Sequence, residues 1–517
     1  MRGDRTQPMP ARRDVLKLLG AGGLALMAAL PAATRAATAT PKRGGLYRLG
    51  RVQDVLNFNP SNLSQGNEPM LFQVYDTLVR IGDDFTLEPR LAESWRFSPD
   101  NLTVTLKLRQ GVKYHTGRDF AAEDVLGTIA FYADKQNAAN ILPFAASIKS
   151  PKAVDRHTVE LHFEQPPGTL FDGLDLLFII DPREVGGLKN KPNGTGPFRL
   201  ERWQPNAKSV YRRFEQYRQA GLPHLDAAEV SVWPDPQAMV VALESGTIDM
   251  ASPVSPLEAK RLSGIDKYEL TQDKFGLVFD VVMNTTAKPF DDKRVRQAVS
   301  WAVNRQRFCD TYLRGLVQPW SLPWPPFSPA HDADLNRFYA KRDLAKARQL
   351  LKEAGHENGV DAKLLCTRSR PGYAELAEQL QSDLKEVGIR ITLDLQDEAA
   401  WRPKFLDGNF QIATHTFGRN NKVPASLFQQ AVVWRTDRNS ARFKSDRFTE
   451  LVNKASAQME AEQAKPYLKE INQLIIDECF TLCVAPQPRP NVQHRFARGY
   501  QSNLDSYPML ESAWFDK

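Results

Sequence analysis

The chain holds few cysteines for its 517 residues: Cys309, Cys366, Cys479 and Cys483. None stands at the C-x-x-C spacing of redox and zinc motifs. Cys479 and Cys483 lie four apart in what reads as one apolar strand, a separation of about 13 Å. A disulfide joins Cα atoms only about 4.4–6.8 Å apart, so that pair is not expected to bridge, and buried thiols are expected instead. Catalytic signatures are missing as well. No G-x-S-x-G, H-E-x-x-H, Walker or dinucleotide glycine pattern occurs after the first 36 residues; the glycines at 20–23 belong to the amino-terminal segment. The eight histidines, at 115, 157, 162, 224, 331, 356, 415 and 494, show no metal-type spacing. Internal repeats and low-complexity tracts are also lacking.

A strong charge of either sign is missing too. The formal net charge is +7, but residues 1–36 carry six Lys/Arg (Arg2, Arg5, Arg12, Arg13, Lys17, Arg35) against Asp4 and Asp14, which leaves +3 for the rest. A nucleic-acid partner needs a concentrated basic face, and none is visible. The only long apolar run, Leu18 to Leu30, is too short to span a bilayer. Preceded by Arg12-Arg13-Asp14-Val15-Leu16-Lys17 and followed by the small residues of Pro31-Ala-Ala-Thr-Arg-Ala36, it reads as a secretory signal over residues 1–36. The paired arginines, the Gly-rich apolar core and Arg35 favour the twin-arginine route. No cysteine stands at the cleavage region, so a lipoprotein is not expected.

What is present is alternation of two periods. Leu102, Val104, Leu106 and Leu108 point one way and Thr103, Thr105, Lys107 and Arg109 the other, which predicts a half-buried strand. Val159, Leu161 and Phe163 repeat the pattern. Leu376, Leu380, Leu384 and Val387 share a helix face that Gly388 ends, and a strand follows through Ile389, Ile391, Leu393 and Leu395. Asp343 is placed to cap a helix carrying Leu344, Ala347 and Leu351, with Gly355 after it. Helices alternating with strands predict an α/β architecture. The remaining ~480 residues exceed what one core usually serves, so at least two lobes are expected. The stretch from Pro319 to Pro329 cannot be regular structure.

The order of several phrases carries a family resemblance. Leu91-Ala-Glu-Ser-Trp95 is followed by strand alternation and then by His115-Thr-Gly-Arg-Asp-Phe-Ala-Ala-Glu-Asp-Val125. Gly44-Gly-Leu-Tyr-Arg-Leu49 looks like a first strand, and Asn57-Phe-Asn-Pro60 like an early turn. Further on stand Gly194-Thr-Gly-Pro-Phe198, Trp203, Pro223-His-Leu-Asp226 and Glu244-Ser-Gly-Thr-Ile-Asp249. Met283-Asn-Thr-Thr286 and Pro289-Phe-Asp-Asp-Lys-Arg-Val-Arg-Gln-Ala298 complete the set. The chain resembles, from about Gly44 to its end, the solute-binding proteins of peptide/nickel-type ABC importers, the dipeptide- and oligopeptide-binding family 5. The resemblance implies a two-lobed periplasmic binding fold of type II, with two crossings at the hinge and an extra subdomain in lobe one. Lobe one is expected at 37–275 plus 485–517, with the subdomain near 84–190, and lobe two at 276–484. The crossings are expected near Lys274–Met283 and Cys483–Pro490.

The same resemblance points to ligand-binding positions. Arg370, in Thr367-Arg-Ser-Arg-Pro371, stands where the dipeptide-binding branch carries the arginine that takes the ligand carboxylate; the alternative is a solvated surface arginine. In Phe417-Gly-Arg-Asn-Asn-Lys-Val-Pro424, Asn420 occupies the place of the Asp that pairs with a peptide amine. An amide cannot neutralise an ammonium, and an unpaired buried ammonium is costly, so an anionic or neutral solute gains ground over a free dipeptide. Trp401 and Phe417 offer aromatic faces, with core packing as the alternative. His415 is a cleft candidate or a packed strand histidine, and Asn57 and Asn59 offer amide groups from lobe one.

The expected function is that of a monomeric periplasmic solute-binding component of an ABC importer. It would capture a peptide-like or other small organic solute and meet permease and ATPase subunits at the inner membrane, after export by the twin-arginine machinery. No cofactor and no catalysis are expected. A nickel or metal-chelate receptor of the same family is the nearer alternative, and a periplasmic hydrolase the more distant one.

Overall fold

The computed structural model describes residues 40–63, 67–82, 85–272, 276–418, 423–503 and 508–517. Residues 1–36, expected as a signal segment, lie outside the described residues, as do Lys274 and the Arg419–Lys422 stretch with Asn420.

The two-period pattern of the sequence forms as expected. Strand Thr103–Leu108 buries Val104, Leu106 and Leu108 and turns its polar residues outward. It joins strands Ala92–Phe97, Thr158–His162 and Lys149–Asp155 in a four-stranded antiparallel sheet. Helix Tyr373–Lys385 buries Leu376, Leu380 and Leu384. Past its end Gly388 takes φ +90°, a conformation that disfavours side chains, and strand Ile389–Gln396 begins at once. Asp343 caps helix Leu344–Glu353 by accepting from the Lys346 amide.

Two larger sheets organise the molecule. One runs in the order Tyr268–Gln272, Pro490–His494, Met250–Ala251, Leu46–Arg51, Ala227–Val232, Lys208–Arg213, Phe198–Gln204. The other runs Ile389–Gln396, Val360–Thr367, Ile412–Gly418, Leu277–Met283, Thr481–Gln487. Each has its own apolar core. The first, with the four-stranded sheet, packs around Tyr47, Leu106, Phe178 and Tyr211; the second packs around Val281, Leu380, Trp434 and Ile475. The chain leaves the seven-stranded sheet at Gln272, enters the five-stranded one at Leu277, leaves it at Gln487 and returns at Pro490. Separate cores joined by two short passages make the two-lobed α/β architecture.

Two of the signature phrases clamp each other. The Arg118 guanidinium pairs with Asp124 at 2.9 Å and Asp181 at 2.7 Å, and the Arg118 carbonyl accepts from the Tyr114 amide at 2.8 Å. The His115 amide donates to the Gly194 carbonyl at 2.9 Å. Burial pushes the His115 imidazole down to about 4, so the neutral ring donates from Nε2 to the Gly196 carbonyl at 3.0 Å. Gly196 in turn donates to the Val74 carbonyl. A Cβ at Gly194 would lie 2.1 Å from the Val74 oxygen, and one at Gly196 would lie 2.5 Å from the Val74 carbonyl carbon. The glycines allow backbones to touch. Gly196→Ala is expected to cost about 1–3 kcal/mol by overpacking, read as a lower thermal midpoint; an unchanged midpoint would show that the Val74 segment yields.

One expectation is corrected. Cys479 is not in a strand with Cys483: it ends helix Ala461–Glu478 in a left-handed conformation, φ 47°, while Cys483 lies in the strand that follows. A helix stop and a strand start share the apolar run, whose sequence alone does not separate them. All four thiols are buried and free.

Candidate functional site

The parallel pairing of Val360–Thr367 with Ile389–Gln396 sets Thr367 opposite Gln396. Both strands therefore end at the same edge of the five-stranded sheet, the edge where open α/β sheets bind ligands. Arg370 follows the first strand by three residues. Glu398 opens helix Glu398–Leu406, whose N-cap Asp397 accepts from the Ala400 amide. The two meet bidentately, Nε to Oε2 at 3.0 Å and Nη2 to Oε1 at 2.6 Å.

Arg370, Trp401, His415 and Phe417 all line one cavity of about 300 Å³. Arg402, Phe405 and Gln430 complete much of its wall. Trp401 is 1% exposed and stacks on Phe405 at 4.9 Å, and Phe405 stacks on the His415 ring at 4.3 Å. The Arg370 guanidinium lies 5.0 Å over the Trp401 ring, a favourable cation–π arrangement. Phe417 packs edge-on against Trp434 at 5.4 Å. Trp401 and Phe417 are thus core residues and cavity wall at once.

His415 is oriented from behind. Its Nδ1 lies 3.0 Å from Oδ1 of Asp280, which has no exposed surface; the other Asp280 oxygen accepts from the Thr481 hydroxyl at 2.9 Å. A carboxylate only accepts, so Nδ1 carries the proton and Nε2 is left as the acceptor of the neutral ring. Among the described residues, no carboxylate lines the cavity and Arg402 has no ion pair. Two guanidinium groups, aromatic faces and an amide suit a carboxylate-bearing or peptide-like solute. Among the described residues, no cluster of three or more His, Cys, Asp or Glu side chains is set to hold a metal ion.

Asn57 and Asn59 are not part of this wall. Asn57 Oδ1 accepts from the Asn59 amide and Asn59 Oδ1 from the Ser61 amide, at 2.9 and 3.0 Å; the side chains close their own turn. Asn420 lies outside the described residues. Glu398, Asp280, Arg402 and Gln430 were not singled out in the sequence. The strand register supplies a signal for Glu398: two paired strand ends bring the residues just past them together.

Residues 86–436 match the family model described as bacterial extracellular solute-binding proteins, family 5 Middle. Heme-binding protein A of Haemophilus influenzae is 26% identical over 467 residues, covering 83% of this chain and 85% of that protein. The glutathione-binding protein GsiB of Escherichia coli O1:K1 is 30% identical over 346 residues, covering 65% of this chain and 66% of that protein. Among solved structures, the ABC transporter substrate-binding protein CtaP of Listeria monocytogenes superposes with a TM-score of 0.82 at 20% identity, over 92% of this chain and all of that one (100%).

Proposed function

The chain belongs to the bacterial extracellular solute-binding proteins of family 5, and from that premise we propose that it is the receptor of an ABC importer for a peptide-like or other small organic solute bearing an anionic group. The observation that carries the solute class is the cavity wall: Arg370 and Arg402 line it, and among the described residues no carboxylate does. Glutathione, for which one relative is named, is a peptide-like carboxylate of this class.

The lobes are taken as 37–275 with 485–517 and as 276–484, with the subdomain near 84–190. Joined by two short passages, they close as rigid bodies on the solute, and the closed pair meets the permease. The protein works as a periplasmic monomer without cofactor or catalysis, delivered by the twin-arginine route and not lipid-anchored. Arg12→Lys with Arg13→Lys is expected to abolish periplasmic accumulation in a fractionation assay; normal accumulation would assign export to the general secretory path.

A metal chelate remains a second reading, because one observation favours it. A histidine whose Nδ1–H is held by a buried carboxylate is the usual arrangement of a metal-ligating imidazole. With a single such ring in the wall, the solute itself would have to bring the remaining ligands. Mass spectrometry and metal analysis of whatever co-purifies from the periplasm separate the two readings. A carboxylate compound that raises the melting temperature and is recovered unchanged supports the first. A metal in equal amount with the protein supports the second, and conversion of the compound would overturn both.

A further inference from the structure

A second cavity, of about 880 Å³, has walls from both halves of the molecule. Phe85, Trp95, Phe97 and Phe171 come from the side of the four-stranded sheet, Phe327 and Met459 from the side of the five-stranded one. These side chains are half-buried: Trp95, Phe97 and Phe171 pack against the first core on one side and line the space on the other. Trp95 and Phe171 stand 5.3 Å apart, tilted by 56°, and Phe97 meets Phe171 edge-on at 6.1 Å. Phe85 reaches across to Phe327, 5.7 Å between centroids. Phe85 does so from φ 65°, a left-handed conformation rare for a bulky side chain and costly to hold. Strain of that kind clusters where a ligand is gripped. Charged groups sit at the rim: Lys465 pairs with Glu462 at 2.6 Å.

We propose that this chamber is a binding site for a flat aromatic group of the captured solute. Its volume is in the range of about 300–1,000 Å³ typical of sites for drug-sized organic ligands, and aromatic walls with a polar rim are the lining such sites use. The chamber and the arginine-lined cavity share no lining residue but are linked through one side-chain contact. Phe171 lines the one, its neighbour Asp172 accepts from the Gln430 amide at 3.3 Å, and Gln430 lines the other. A solute with an anionic end at Arg370 and a ring system at Phe171 spans both. The role of the chamber within one solute rests on the proposed function; its affinity for an aromatic group does not.

The test uses dansylamide, an uncharged naphthalene probe, titrated by fluorescence into the purified chain. Blue-shifted emission and saturable binding are expected. Phe171→Ser with Phe327→Ser is expected to weaken binding at least tenfold. Ala457→Trp, which fills the chamber from an exposed wall position, is expected to weaken it to the same degree without changing the melting temperature, so a misfolded double variant does not decide the outcome. No saturable binding, or binding indifferent to Ala457→Trp, overturns the chamber, whatever co-purifies. Binding that follows these variants from a protein that retains no solute and responds to none keeps the chamber and rejects the importer reading.

Discussion

Gly168→Val is expected to weaken solute binding roughly 5- to 150-fold, the equivalent of about 1–3 kcal/mol of overpacking confined to one of two states. A Cβ on Gly168 would lie 2.1 Å from the Ser456 carbonyl oxygen and 2.6 Å from that of Gln458. Gly168 precedes helix Leu170–Leu176, whose Leu170 and Leu174 belong to the core of the seven- and four-stranded sheets. Ser456 ends helix Asp446–Ser456, which belongs to the other core through Leu451 and Ala455. The clash therefore joins the two lobes and disappears when they part. Because backbone oxygens cannot rotate away as side chains do, relief requires separation of the lobes. A solute that binds the closed form then loses affinity in proportion to the closed fraction. Calorimetry with the co-purified solute measures the loss, and the melting temperature of the unliganded protein should stay constant. Undiminished affinity would mean that closure leaves this seam open.

Arg370→Ala is expected to remove about 2–5 kcal/mol of affinity for a carboxylate solute. Two effects add. The guanidinium edge that Glu398 leaves free is lost as a donor to the solute. The Glu398 carboxylate is then left without its partner and repels the same anion. Glu398→Gln should act in the opposite direction, tightening the anion by releasing the guanidinium while keeping an amide to orient it. Titration of both variants against one solute checks the pair of signs. Equal affinity in all three proteins would move the anion site away from this cavity.

The mechanism ties these positions together. Trp401 is held by Phe405 and by the Arg370 guanidinium above it, and His415 by Asp280 and the Phe405 face. On the proposed function, the wall is therefore assembled before the solute arrives, which reduces the ordering cost of binding. Closing the lobes removes water from around it and strengthens each polar contact.

The strands, the helix stop at Gly388 and the cap at Asp343 were legible because they depend on residues a few positions apart. Arg370, Trp401, His415 and Phe417 were legible only through the order of family phrases, which fixes their rank along the chain but not their neighbours. How Asn57 and Asn59 are used was not legible for a related reason: an amide in a turn satisfies backbone groups as readily as a ligand, and sequence does not distinguish the uses. Glu398 escaped because its meaning depends on the pairing of Thr367 with Gln396.

By itself, the sequence determined the α/β class, the likeness to a solute receptor and the weak net charge, since periodicity and composition are local quantities. Only the tertiary structure decided that Arg370 is already shared with Glu398, that Asp280 selects the proton position on His415, and that aromatic residues more than two hundred positions apart, Phe85 and Phe327, enclose one chamber. Each of these is a contact between distant segments, and strand register and lobe packing set such contacts through the summed burial of many side chains.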